Sequence, residues 1–351
     1  MIVDARSVSE NETVETDVCI VGAGVAGITL AREFIDRGVE VCLLESGDLK
    51  FNPEIQSLCS GENVGYRYFP LQDARARYFG GSANLWDIDM GDGCVSAARL
   101  RPFDSIDFEE RDWVPHSGWP FGKAELDPFY DRAQSLLKIE PASYDVNDWE
   151  DPANRPRLPF VNGRVQTVIF KFISNNRFIH DLRYEVTQAE NILTFLFANA
   201  LEIETDETAQ TVKRLRVGCL AGNRFWLSAK VFILAVGGIE TPRLLLLSNQ
   251  VQKSGLGNRN DLVGRFFMEH LHFWSGIYLP SEAAGCKQAN LYRSVHRVRE
   301  VPIIGKLAVS ENVLREEKLL NQNIQLIPEN LSSWETYPGI RSEGLLSLKN
   351  L

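Results

Sequence analysis

The chain is poor in several features at once, and each scarcity excludes a class of protein. Its 351 residues include only 6 cysteines. These lie far apart, at Cys19, Cys42, Cys59, Cys94, Cys219 and Cys286, with no C-x-x-C pair, so neither a zinc knuckle nor a disulfide framework is indicated. No apolar run reaches the roughly 18 residues that a membrane span needs. The longest uncharged stretch, residues 18–31, is shorter and is broken by Gly22, Gly24 and Gly27. Positive charge is outnumbered, with 37 Lys plus Arg against 47 Asp plus Glu and a formal charge of -10, which disfavours nucleic acid or an anionic membrane as the main partner. The first residues carry Asp4, Glu10, Glu12, Glu15 and Asp17 against Arg6, the reverse of a basic secretion signal, and a cytoplasmic location is expected. Neither G-x-S-x-G nor G-x-x-x-x-G-K occurs, which removes serine hydrolases and P-loop enzymes.

What is present is ordinary globular material, 44% hydrophobic and 24% charged, with length enough for two domains. After a polar arm of about 15 residues expected to be poorly ordered, residues 16–21 read as a strand running into Gly22-Ala23-Gly24-Val25-Ala26-Gly27. A helix follows, with apolar positions at Ile28, Leu30, Ala31, Phe34 and Ile35 and Gly38 as its C-cap. Residues 39–44 form a second strand that ends in Glu45. Both strands are largely apolar, as parallel strands covered on both faces are. Helical spacing returns over residues 123–139, and residues 141–159 read as a polar surface connection. Residues 192–198, 201–205, 211–217 and 224–228 read as an antiparallel meander ended by Lys230, with a further strand over 231–236. Thr241 as N-cap and Pro242 at the first helical position mark the next helix.

The first glycine loop carries the chemistry. A strand that stops at G-x-G-x-x-G and reopens as a helix aims backbone N–H groups and the helix dipole at one spot, which suits a pyrophosphate. Gly22 permits the turn, Gly24 lets the phosphate approach and Gly27 lets the helix lie close on the strand. Glu45 stands where a ribose hydroxyl needs an acceptor. The acidic strand end argues against a 2'-phosphate and leaves FAD and NAD open.

Four later segments, together with this loop, resemble the glucose-methanol-choline family of FAD-dependent oxidoreductases. They are Arg77-Tyr78-Phe79-Gly80-Gly81-Ser82-Ala83-Asn84-Leu85-Trp86; the stretch through Arg111, Trp113, Pro115, His116, Gly118, Trp119 and Pro120; Leu234-Ala235-Val236-Gly237-Gly238-Ile239-Glu240-Thr241-Pro242-Arg243; and Asp261-Leu262-Val263-Gly264-Arg265 through to His270. Their order agrees with the family from residue 17 to about 275. An NAD-linked dehydrogenase would explain the first loop but not the second.

The resemblance implies a Rossmann-like α/β FAD-binding domain, with a mixed sheet plus an antiparallel meander, and a second α+β substrate domain. The first is expected over 1–105 and 186–270, the second over 106–185 and 271–351 with its C-terminal part missing. It implies hydride transfer from the CH–OH group of an alcohol, polyol or sugar to flavin N5. The expected cofactor contacts are Gly22, Gly24, Val25, Ala26, Gly27, Glu45 and Ser46 on the pyrophosphate and ribose side. Gly80, Gly81, Ser82, Asn84, Leu85 and Trp86 would run beneath the flavin, and Ala200 and Leu201 would face the adenine. Ala235, Val236, Gly237, Thr241 and His270 would approach the remainder. The His and the His or Asn that take the hydroxyl proton in the family have no counterpart here, where residues after Pro280 offer only His296. No catalytic base is therefore assigned, and a partner chain supplying it is the alternative expectation. His270-x-His272 beside Glu269 lacks a third ligand and reads as a hydrogen-bonded pair without metal. Trp113, Trp119, Trp226 and Trp274 read as core, and His116 as structural.

Overall fold

The computed structural model describes residues 1–66, 68–86, 97–160, 162–174, 176–270, 276 and 287–327. The chain divides into two compact units, one of Met1–Ile88, Ser96–Ala98 and Ser174–Trp274, the other of Asp89–Val95, Arg99–Ile173 and Ser275–Leu351. Residues 174–185, expected in the second unit, lie in the first, and residues 99–105 lie in the second.

The first unit is built on a seven-stranded sheet. Its strands are β1 (Ile2–Asp4), β2 (Thr13–Val21), β3 (Val41–Leu44), β6 (Ile192–Leu196), β7 (Asn199–Thr205), β8 (Val212–Gly218) and β9 (Arg224–Leu234), in the order β1-β6-β3-β2-β9-β8-β7. The first five in that order are parallel to their neighbours, and β9-β8-β7 is an antiparallel meander. The chain is thus α/β with a mixed sheet. Alternation along the strands explains the two layers. Cys19, Val21, Cys42 and Leu44 join the core that Leu244 closes from one side, whereas Ile20, Val41 and Leu43, equally buried, point to the opposite face, where α1 (Val25–Glu33) packs with its buried Ile28 and Ala31. Each Val, Leu or Ile among them contributes roughly 1.5–3 kcal/mol on burial.

Several expectations are corrected. The N-terminal arm is not loose, because Ile2–Asp4 add a parallel edge strand to β6 and the Met1 ammonium donates to the carbonyls of Thr187, Ala189 and Ile192. The strand after residue 224 does not stop at Lys230. It continues as β9 to Leu234, since β2 pairs with it both before Lys230, from Trp226 to Ala229, and after it, from Val231 to Leu234. Residues 192–196 belong to the parallel part of the sheet, not to the meander. Helix α1 ends at Glu33, and Gly38 closes the turns that follow.

In the second unit β5 (Val165–Ser174), β10 (His296–Val298), β11 (Val301–Val309) and β4 (Ala97–Leu100) give the order β10-β11-β5-β4, with β12 (Asn323–Ile324) also paired to β11. A long helix, Lys123–Leu137, accompanies them. The 141–159 connection is not wholly superficial. Trp149 is fully buried there beside Lys171 of β5, whose ammonium donates to Gln134 Oε1, Ile139 O and Pro141 O under the rings of Tyr144 and Trp149. Trp119 is half exposed rather than core, and Trp226 lies under the Arg214 guanidinium. Trp274, Cys94 and Cys286 lie outside the described residues. Cys19, Cys42, Cys59 and Cys219 are free thiols, and burial pushes Cys42 up to about 11.

Candidate functional site

Three loops of the first unit converge at the ends of β2, β3 and β9. Gly22 leaves β2 at φ +103, a conformation that favours glycine, and its N–H donates to Leu44 O at 2.8 Å. A Cβ there would stand 2.6 Å from Ala235 O, and a Cβ on Gly27 would stand 1.8 Å from Gly22 O. These two glycines are demanded by the protein's own packing. Gly24 differs, because a Cβ on it would meet only the Gly81 Cα, at 3.8 Å. It is also the N-cap of α1, and no side chain caps that end. The first-turn N–H groups and the helix dipole therefore face a cradle that the protein leaves open, as a pyrophosphate requires.

The second glycine loop closes on the first. Gly80 N donates to Ala23 O at 2.8 Å, and Gly81 packs so tightly that a Cβ would come within 2.8 Å of the Gly24 Cα. Gly81–Leu85 form one turn of 3-10 helix with Ser82 exposed and Leu85 half exposed. Asn84 Nδ2 donates to Phe79 O and Gly81 O, holding the turn shut. Trp86 meets Phe178 edge to face.

Glu45 is buried at the end of β3. Its carboxylate accepts from Ala23 N, Gly47 N and Ser46 Oγ. Burial pushes this carboxyl above its ordinary range, against the pull of the Gly47 and Ala23 N–H groups and of Arg77. Ala235 N donates to Val21 O, bringing the β9 exit against Gly22. The helix after it, α2 (Gly237–Leu247), opens four residues earlier than Thr241, which with Pro242 lies inside it. Ala200 and Leu201 sit at a β-bulge of β7, with Leu201 half exposed. His270 is exposed beside Glu269 at 3.4 Å, and His272 lies outside the described residues. No metal-holding cluster occurs among the described residues, and no helix among them is long and apolar enough to cross a membrane.

Two features escaped sequence reasoning. Gly47 is a fourth close approach, since a Cβ there would stand 2.2 Å from Arg77 O. Glu240 accepts from Arg75 Nη2 at 2.6 Å and from Arg243 Nε at 2.7 Å, with Arg77 Nη1 at 3.6 Å. Burial pulls the Glu240 carboxyl up, yet Arg243, Arg75 and Arg77 hold it below the usual range. The clamp ties the lead-in of the second glycine loop to α2. The first had a local signal in the Glu45-Ser46-Gly47 triplet, whereas the Arg75-x-Arg77 pair shows only one half of the clamp.

Comparison with known proteins bears on which group this cradle holds. Residues 15–52 match a family model described as FAD binding domain. The chain is 45% identical over 324 residues to 2-methyl-1,2-propanediol dehydrogenase of Mycolicibacterium austroafricanum, covering 78% of this chain and 59% of that protein. It is 22% identical over 325 residues to the fructose dehydrogenase large subunit of Gluconobacter japonicus, with 74% and 59% covered. It is 30% identical over 136 residues to paromamine 6'-oxidase of Streptomyces fradiae, with 35% and 23% covered. The chain thus spans less than two thirds of the curated relatives it matches. The cofactor is FAD, and the uncapped α1 N-terminus and the open space at Gly24 fit it. With the five motifs in order and the two glycine loops closed on one another, the chain belongs to the glucose-methanol-choline family of FAD-dependent oxidoreductases.

Proposed function

We propose that this chain holds FAD in its first unit and oxidises the CH–OH group of an alcohol, polyol or sugar, with the second unit as the substrate domain. The observation that carries the reading is Gly24, the one glycine of the fingerprint whose missing side chain leaves room that the protein itself does not fill. A bound FAD supplies the acceptor for the hydride leaving the carbinol carbon. The chain's own residues bind and orient. The Gly22–Gly27 turn and the α1 N-terminus hold the pyrophosphate, while Gly80, Gly81, Ser82 and Asn84 hold the pyrimidine edge through the main chain. A carboxylate offers about four lone-pair positions, and Ala23, Ser46 and Gly47 use three at Glu45, which leaves one for a ribose hydroxyl. The names of two relatives, which specify a sugar and a diol, support the substrate class.

A second reading has support of its own. One relative is described as a large subunit, and no His or Asn of this chain is assigned as the base. On that reading the chain is a flavin-holding module, and a partner chain supplies the base.

One spectroscopic experiment tests both. The purified chain is reconstituted with FAD, its visible spectrum is recorded, and alcohols and sugars are added without oxygen. Bleaching of the flavin band is expected. A chain that stays colourless would overturn the cradle, whereas a flavin that no substrate bleaches would overturn independent turnover and favour the second reading.

A further inference from the structure

The sheet of the second unit carries a feature that the cofactor reading neither uses nor explains. Residues directly opposite on paired strands share a face, as do alternate residues along one strand. By register Lys306 of β11 stands opposite Val168, Ile304 opposite Phe170, and Ala308 opposite both Gln166 and Asn323. One face therefore carries Phe170, Lys306 and Asn323 together. Lys306 is only 5% exposed, and its ammonium donates to Asn323 Oδ1 at 3.0 Å and lies 4.9 Å from the centre of the Phe170 ring. Arg99 reaches the same group, donating from Nη1 to Gln325 Oε1 at 2.9 Å. Neither cation forms an ion pair with a carboxylate among the described residues. Burial and the neighbouring Arg99 charge together push Lys306 down to about 8, and burial alone lowers Arg99.

The polarity of this group is one-sided. Each amide turns its oxygen to a cation, so the NH2 groups of Asn323 and Gln325 remain as donors. An ammonium has three N–H groups and a guanidinium five, and each is shown with one partner. The cluster therefore offers hydrogen-bond donors and two positive charges. A neutral polyol presents donors as well as acceptors and would leave its own O–H groups unmatched here, whereas an oxyanion presents acceptors alone. Two like charges held together on a half-desolvated face repel, and an anion between them relieves that repulsion.

We infer that Lys306, Arg99, Asn323 and Gln325 form a binding site for an oxyanion, a carboxylate or a phosphate group. This goes beyond the FAD reading and does not rest on it. The test uses the full chain, titrated by calorimetry and by thermal melting with sodium phosphate and separately with sodium acetate. Sodium chloride holds the ionic strength constant throughout. Saturable binding of at least one oxyanion is expected, with a raised melting midpoint. Binding of phosphate alone identifies a phosphoryl ligand and binding of acetate alone a carboxylate. Lys306→Met weakens the binding by about ten-fold or more. Asn323→Asp places a carboxylate in the site and is expected to raise the midpoint in chloride while abolishing the response to added oxyanion. That variant keeps the test decisive even where Lys306→Met fails to fold. A response no larger than that to chloride, or one unchanged in the folded variants, overturns the inference, and flavin content plays no part in the readout.

Discussion

Gly24 and Gly81 lie back to back. A Cβ on Gly81 would stand 2.8 Å from the Gly24 Cα, while a Cβ on Gly24 would keep an ordinary 3.8 Å from Gly81. The contact is tight from one side only. The second loop is pressed against the first, and the first keeps its open side free.

That asymmetry separates the glycines by experiment. Gly24→Val is expected to leave the melting midpoint of the apoprotein nearly unchanged and to abolish flavin retention, read from the absorbance ratio of the visible band to the protein band. Gly27→Ala, with its Cβ 1.8 Å from Gly22 O, is expected to lose stability by several kcal/mol, as overpacked cores do at about 1–3 kcal/mol or more. Full flavin content in Gly24→Val would sink the pyrophosphate assignment.

Glu45→Gln replaces one acceptor oxygen by a donor that faces the N–H groups of Ala23 or Gly47. The cost is about 1–3 kcal/mol for a buried donor left unmatched. Weaker FAD binding in titration and a lower urea midpoint are the expected pair of results.

Removing Glu240 leaves three guanidinium groups facing one another. Glu240→Ala is expected to cost about 3 kcal/mol, the range for a half-buried ion pair broken on one side. The pH dependence has a definite sign. The folded-state carboxyl is held below its ordinary value of 4.5, so its contribution is present above that value and is lost as the pH falls through the folded value. The wild type should lose melting temperature on acidification below about 4.5 more steeply than Glu240→Gln.

The lysines act in the opposite range. Lys171 and Lys306 are each pushed down to about 8, chiefly by burial, from an ordinary 10.5. Between those values the unfolded chain binds protons that the folded one does not, so stability rises with pH across that window. Melting curves from pH 8 to 10.5 should climb in the wild type, and Lys306→Met should flatten part of the climb.

What was legible in the sequence was local. The β-α-β start needed only Gly22, Gly24, Gly27 and two apolar strands, all within residues 16–45, and each signal acts over a few positions. What was missed depends on distant partners. Ile2 and Val3 become a strand because Thr194 and Phe195 lie beside them, and Lys230 stays in a strand because β2 pairs with that strand on both sides of it. Trp149 is interior although its segment reads as polar, since Lys171 draws residues 134–149 around its ammonium. At the site, the glycines and Glu45 could be named, but the clamp from Arg75 to Glu240 joins residues 165 apart. No spacing rule reaches that far.

The order of the sheet sets a timetable for synthesis. β2 lies between β3 and β9, and Val21 is paired with Leu234, 213 positions later (234 − 21). A ribosome adding about 5–20 residues per second needs roughly 10–40 s to close that gap. Throughout that interval one edge of β2, apolar on both faces, waits without its neighbour. The nascent chain is then most exposed to wrong strand pairing, so slowed elongation or chaperone depletion should reduce the soluble yield of this protein more than that of one whose central strands are consecutive.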